Sequence, residues 1–170
     1  MVPNGPDARR GALTAAGFRT LCALGRAGVI QEKREGDGAT PSGRHRLVAV
    51  LYRTDRMSRP HTLLPVAAIG PDAGWCDDQA DRNYNRPVRL PYPGSAERLW
   101  RDDRLYDLVV VLDYNLRPAK PGRGSAIFLH LATPDFAPTA GCVAVDAEAM
   151  RRLLAAASEQ TFLIVHAGRY

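Results

Sequence analysis

Residues 124–145 read GSAIFLHLATPDFAPTAGCVAV, two short apolar runs separated by a loop that contains two prolines. The first run, residues 125–131, has the length and the β-branched and aromatic content of a strand, and residues 142–145 begin another. Proline cannot donate to a β-ladder, so residues 133–139 must leave the sheet before the chain returns at Gly141 and Cys142. A fold that accepts this stretch brings two strand ends together, and with them His130 and Cys142.

That pairing has chemical content. Sulfur is a strong nucleophile as thiolate, and a nearby imidazole is the commonest device for lowering the thiol pKa or taking its proton. Gly141 has no Cβ, so the backbone there can turn sharply and expose N–H groups beside the sulfur, where an acyl oxyanion would sit. The competing reading is a buried structural cysteine near an unrelated histidine, since cysteine is among the most buried residue types.

The same residues resemble the signature of the L,D-transpeptidase (YkuD-type) catalytic domain: a His at a strand end, a loop, then Ser/Thr-His-Gly-Cys, a hydrophobic residue and Arg or Asn. His130, Thr139, Gly141, Cys142 and Val143 match it; Ala140 stands at the second His and Ala144 at the Arg or Asn. Residues 38–43, GATPSG, are similar to the Thr-Pro-x-Gly turn that precedes a core strand in that family, and the matching segments span most of residues 20–166. The resemblance implies a mainly β fold, a β-sandwich of mixed strands with one or a few packed helices. It further implies Cys142 as nucleophile, His130 as base, Gly141 at the oxyanion, Thr139 among the substrate contacts, and no cofactor or metal. Peptidoglycan stem peptides would be the partner, the periplasm or cell envelope the location, cell-wall cross-linking and cell shape the role, and carbapenems the acylating inhibitors. Two cross-links are carried, to diaminopimelate (3-3) or to the first-position L-alanine (1-3). The alternatives are an L,D-carboxypeptidase or cross-link hydrolase on the same fold, and a non-catalytic cell-wall-binding module. A zinc site built on His130 and Cys142 is disfavoured by ligand count.

At 170 residues, with 45% hydrophobic and 24% charged content, the chain suits one globular domain, placed at residues 17–170 behind a flexible arm at residues 1–16. The net charge of +5 comes from scattered arginines; only Lys33 and Lys120 are lysine, and no basic run forms a nucleic-acid footprint. Three cysteines leave at least one thiol unpaired within a monomer, the expected state, and a Cys22–Cys76 disulfide is neither inferred nor excluded. No apolar run is long enough to span a membrane, and the N-terminus lacks the apolar core of a secretory signal, so export is unexplained.

Elsewhere, residues 18–30 suit a hairpin or bulged strand pair, and residues 33–38 a solvated polar turn. Strands are expected at residues 44–52, 62–69, 105–113 and 161–165, and a short helix at residues 96–103. A second helix follows Asp146 as N-cap, with Met150, Leu153, Leu154 and Ala157 as its core stripe. Residues 74–93 lack periodicity but hold aromatics, amides and paired charges. Trp75 or Tyr84 would flank a substrate there and Arg86 would grip a carboxylate, the alternative being a Pro-rich crossover stapled by its own side chains. Tyr114 and Asn115 would come close to His130 if the flanking strands pair as a hairpin.

Overall fold

The computed structural model describes residues 9–167 and the backbone of Val2–Pro3. Its strands are β1 (Val2–Pro3), β2 (Arg10–Ala15), β3 (Phe18–Ala23), β4 (Val29–Ile30), β5 (Thr40–Pro41), β6 (Gly43–Tyr52) and β7 (Val66–Ala68). They continue with β8 (Ala73–Cys76), β9 (Pro87–Arg89), β10 (Ala96–Arg98), β11 (Leu108–Leu112), β12 (Phe128–Leu131), β13 (Val143–Val145) and β14 (Phe162–Val165). The helix among the described residues is α1 (Ala147–Ala156).

A mixed sheet runs β1-β2-β3-β13-β12-β11-β6-β14, with β7 added beside β6. Its interior strand β11, LVVVL, between β12 and β6, is buried along its whole length, as an apolar run without alternation predicts. Successive side chains of a strand point to opposite faces, and here both faces are covered. Leu108, Val110 and Leu112 join Leu129, Val143 and Val145 in a core with Met150, Leu153 and Leu154 of α1. Val109 and Val111 join Phe128, Cys142 and Trp75 on the other face, under a small sheet ordered β10-β8-β9. The result is a mainly β sandwich with one helix packed against it.

The alternation places the chemistry. His130 shares the parity of Phe128, and Ala144 that of Cys142, so both residues of interest lie on the face turned away from the helix. β12 and β13 are parallel neighbours, with Leu129 opposite Val143 and His130 opposite Ala144. The loop between them is long enough for the crossover that a parallel pair requires.

Helix α1 starts as its sequence predicts. Asp146 accepts a hydrogen bond from the Ala149 amide at 2.8 Å and a second from the Thr20 hydroxyl at 3.0 Å, tying the helix start to β3. Asp146→Ala is expected to cost about 1 kcal/mol, typical of an N-cap, and to lower Tm by about 2–4 °C in a chain of this size. Thermal denaturation followed by circular dichroism measures both.

Several local expectations are corrected. Residues 10–15, assigned to the arm, form β2, pair along their length with β3 and bury Leu13; of the rest of the arm, residues 1 and 4–8 lie outside the described residues. Residues 96–98 are strand, not helix, because they pair with Gly74 to Cys76 across the small sheet. Residues 125–127 precede the strand proper, and Ala126 has a positive φ of 50°. β11 and β12 do pair antiparallel, but Val109 faces His130 and Val111 faces Phe128. That register carries Tyr114 and Asn115 past the opposite end of β12 from His130. None of the three cysteines is in a disulfide, and all are buried.

Candidate active site

The Cys142 sulfur is held by the backbone that leads into β12. It lies 3.2 Å from the Ala126 carbonyl, to which the thiol donates, and 3.4 Å from the Phe128 amide, which donates to it. Ala126 can present its carbonyl this way because Asn85 fixes its unusual conformation. The Asn85 side chain accepts from the Ala126 amide at 3.0 Å and from the Trp75 indole at 2.8 Å, and donates to the carbonyls of Tyr114 and Asn115 at 3.2 and 2.8 Å.

The Cys142 carbonyl is clamped by two threonines, Thr139 at 2.7 Å and Thr40 at 3.3 Å. Thr40 belongs to the Thr-Pro turn and also accepts from the Gly25 amide at 2.8 Å, so this turn braces the loop that carries Cys142. Gly141 has φ of 141°, and a Cβ there would sit 2.8 Å from the Ala39 carbonyl oxygen. Only glycine meets both conditions.

His130 donates from Nδ1 to the Leu131 carbonyl at 2.8 Å. A carbonyl can only accept, so in the neutral imidazole Nε2 holds the lone pair. The ring packs edge-on against Tyr106, with centroids 5.1 Å apart. The Tyr106 hydroxyl donates to Glu97 at 2.5 Å.

His130, Tyr106, Glu97 and Cys142 line one cavity of about 400 Å³. Its wall carries charges of both signs, Arg26, Lys33 and Arg101 with Glu35, Asp77 and Glu97. A peptide bearing both ammonium and carboxylate groups would find partners in it.

Burial dominates the ionisation of the central groups. It lowers the His130 pKa from 6.5 to about 4, Arg101 adding to the effect while the Leu131 bond and Asp103 oppose it. It pushes the Cys142 thiol up to about 12, aided by the Glu97 charge and opposed by the Phe128 amide, Lys33 and the Tyr106 hydroxyl. Burial also raises Tyr106 and Glu97 above their ordinary values. Burial thus favours the neutral form of both the thiol and the imidazole.

Of the residues singled out in the sequence, His130, Cys142 and Thr139 line the cavity and Gly141 adjoins it. Trp75, Tyr84, Arg86, Tyr114 and Asn115 are not among its lining residues. Trp75 is buried edge-on against Phe128, with centroids 5.0 Å apart. Tyr84 donates to Glu35 and accepts from the Gly124 amide at 3.1 Å, supporting the wall from behind. Arg86 is exposed. Tyr114 donates to the Arg123 carbonyl at 2.7 Å, and Asn115 to the carbonyls of Lys120 and Gly124 at 3.0 and 2.9 Å, fastening a loop. The stretch from Lys33 to Gly38, expected to be a solvated turn, instead supplies Lys33, Glu35 and Gly36 to the wall. Tyr106, Glu97 and Arg101 also escape a reading by motif. The one available signal was lysine at position 33 in a chain whose other basic residues, Lys120 apart, are arginine.

A sandwich that sets a thiol and an imidazole from adjacent parallel strands into one charged cavity defines a recognisable class of catalytic domain. The family model for the L,D-transpeptidase catalytic domain, YkuD, matches residues 8–165, and the chain belongs to that family, whose members act on peptidoglycan peptides. No curated protein and no solved structure matches it. No helix among the described residues is long and apolar enough to cross a membrane.

Proposed function

We propose that this protein is a peptidoglycan L,D-transpeptidase that works through an acyl-enzyme on Cys142. The observation that carries the reading is the tautomer of His130, whose Nδ1–H is bound to the Leu131 carbonyl, leaving the lone pair on Nε2 of a ring that lines the same cavity as Cys142. A tetrapeptide stem would present the L-centre carbonyl of its diaminopimelate to the sulfur. As the S–C bond forms, the thiol proton passes to His130 and the carbonyl π pair moves onto oxygen. Collapse of that intermediate breaks the C–N bond, and D-alanine leaves with the proton returned from His130. An amine of a second stem then attacks the thioester and regenerates the thiol. The expected setting is the periplasm or cell envelope, with a role in cross-linking and cell shape.

Incubation with purified tetrapeptide muropeptides, followed by mass spectrometry, tests the reading. Cross-linked dimers support it, tripeptide without dimers makes water the acceptor and the protein an L,D-carboxypeptidase, and unchanged substrate leaves a binding module.

The acceptor side turns on two alanines. Both line the cavity: Ala140 is exposed there, and Ala144 is buried in β13 opposite His130 and Ala23. A small, apolar wall here suits the compact amine of L-alanine (1-3 linkage) better than a diaminopimelate side chain that needs polar steering (3-3 linkage). Enlarging Ala144, which lies opposite His130, would disturb the imidazole as well as the wall, so Ala140→His is the informative change. It is expected to shift the product toward the 3-3 linkage, read by sequencing the cross-links; unchanged linkage and yield would remove position 140 from acceptor choice.

A further inference from the structure

We propose that Lys33 is a catalytic residue of this site, its ammonium completing the oxyanion hole that receives the carbonyl oxygen during acyl transfer. The proposal rests on the acyl-enzyme reading above and goes beyond it, because nothing in the Thr-x-Gly-Cys motif supplies a cation.

The placement of Lys33 is unusual for a lysine, since it is only 3% exposed. Its stem runs against Gly124 and its ammonium against Gly141. A Cβ on Gly124 would stand 3.0 Å from Lys33 Cε and 3.3 Å from Cγ, and a Cβ on Gly141 would stand 3.4 Å from Nζ. The ammonium thus ends against the residue that precedes the nucleophile. The wider planar guanidinium of arginine would meet both of these backbones, which gives a physical reason for lysine in a chain otherwise rich in arginine.

Its hydrogen bonds leave one donor for a ligand. An ammonium has three N–H groups. One reaches Asp37 Oδ1 at 2.7 Å and another the Arg34 carbonyl at 3.2 Å. Asp37 is itself fixed by the amides of Arg34 and Ala39 at 2.6 and 2.9 Å, so the ion pair is held in place before substrate arrives. The third donor has no partner among the described residues, and Lys33 lines the cavity.

The usual backbone donor beside the sulfur is otherwise engaged. The Gly141 amide donates to Thr139 Oγ1 at 3.1 Å, which leaves the Cys142 amide and the Lys33 ammonium as the donors that would meet the oxyanion. A cation held in place and 3% exposed stabilises a developing oxyanion more than one free in water. The electron count needs no further reactant. The π pair moves onto oxygen as sulfur bonds to carbon, Lys33 donates a hydrogen bond to that oxygen and keeps its proton, and the pair returns when the C–N bond breaks.

The test compares wild type, Lys33→Met and Cys142→Ala on a defined tetrapeptide donor, measuring kcat and KM separately. Lys33→Met is expected to lower kcat by about 10²–10³, the loss typical of one oxyanion donor, with KM within about threefold. If Cys142→Ala is inactive while Lys33→Met keeps kcat within about threefold, or loses efficiency through KM alone, the lysine is not an oxyanion donor. Turnover by Cys142→Ala would instead overturn the underlying acyl-enzyme reading. Should Lys33→Met fail to fold because Asp37 is left unpaired, Lys33→Met/Asp37→Asn removes both charges together and carries the same two outcomes.

Discussion

Cys142→Ala protein is expected to form no acyl-enzyme and no cross-linked product. The sulfur is the atom on which the acyl group would rest, and no other thiol lines the cavity. The variant should still fold, although it leaves the Ala126 carbonyl and the Phe128 amide without the sulfur they now bond. Cys142→Ser keeps a donor and acceptor at that point and is the better control for stability. Cys22→Ala and Cys76→Ala, both in packed interior positions away from the cavity, are expected to retain turnover. Intact-mass spectrometry after exposure to a carbapenem should show one adduct on wild type and none on Cys142→Ala. Wild-type turnover by Cys142→Ala would sink the assignment.

The second large effect belongs to His130. His130→Ala is expected to slow turnover by roughly two to four orders of magnitude, the range of a general base. The pH profile carries a sharper expectation. Burial lowers the His130 pKa to about 4, so the imidazole stays neutral, and able to take a proton, well below the 6.5 of an ordinary histidine. Activity should persist as pH falls through 6.5 and decline toward 4, provided that the fold survives. Stability follows the same group with a definite sign. Between 6.5 and about 4 the unfolded chain binds a proton at this histidine and the folded chain does not, so the histidine's contribution erodes as pH falls across that window. With the thiol pushed up to about 12, iodoacetamide should alkylate Cys142 slowly at neutral pH and faster as pH rises. Rapid alkylation at pH 6 would instead reveal a resting ion pair.

The parts of this structure that could be read from sequence are those set by local chemistry. Asp146 followed by apolar residues at helical spacing specified α1, because an N-cap and a buried stripe are written within one segment. The unbroken apolar run of β11 announced a strand covered on both faces. Two strands around a proline-bearing loop sufficed to bring positions 130 and 142 together, since both stay on one face of the sheet. What could not be read depended on distant partners. Residues 96–98 are strand only because β8 lies alongside. Tyr114 lies far from His130 because of the β11–β12 register, which no single segment encodes. Lys33 looked solvated because its neighbours are polar, and its burial results from glycines about 90 and 108 positions away that make room for its stem and ammonium.

The position of β13 between β12 and β3 has a consequence for how the site comes into being. The strand that follows Cys142 is held on one side by Leu129 to Leu131 and on the other by Cys22 and Ala23. One of those edges joins segments more than 100 residues apart in the chain, a contact whose closure entropy must be met before it returns any stabilisation. The thiol, its carbonyl clamp from Thr40 and the imidazole are thus aligned through contacts of high sequence separation. A nascent chain that has emerged only as far as β11 contains neither reactive partner, and one that has lost β3 leaves β13 with an open edge. On the proposed mechanism, the site that would accept the acyl group is complete only when this part of the sheet is complete.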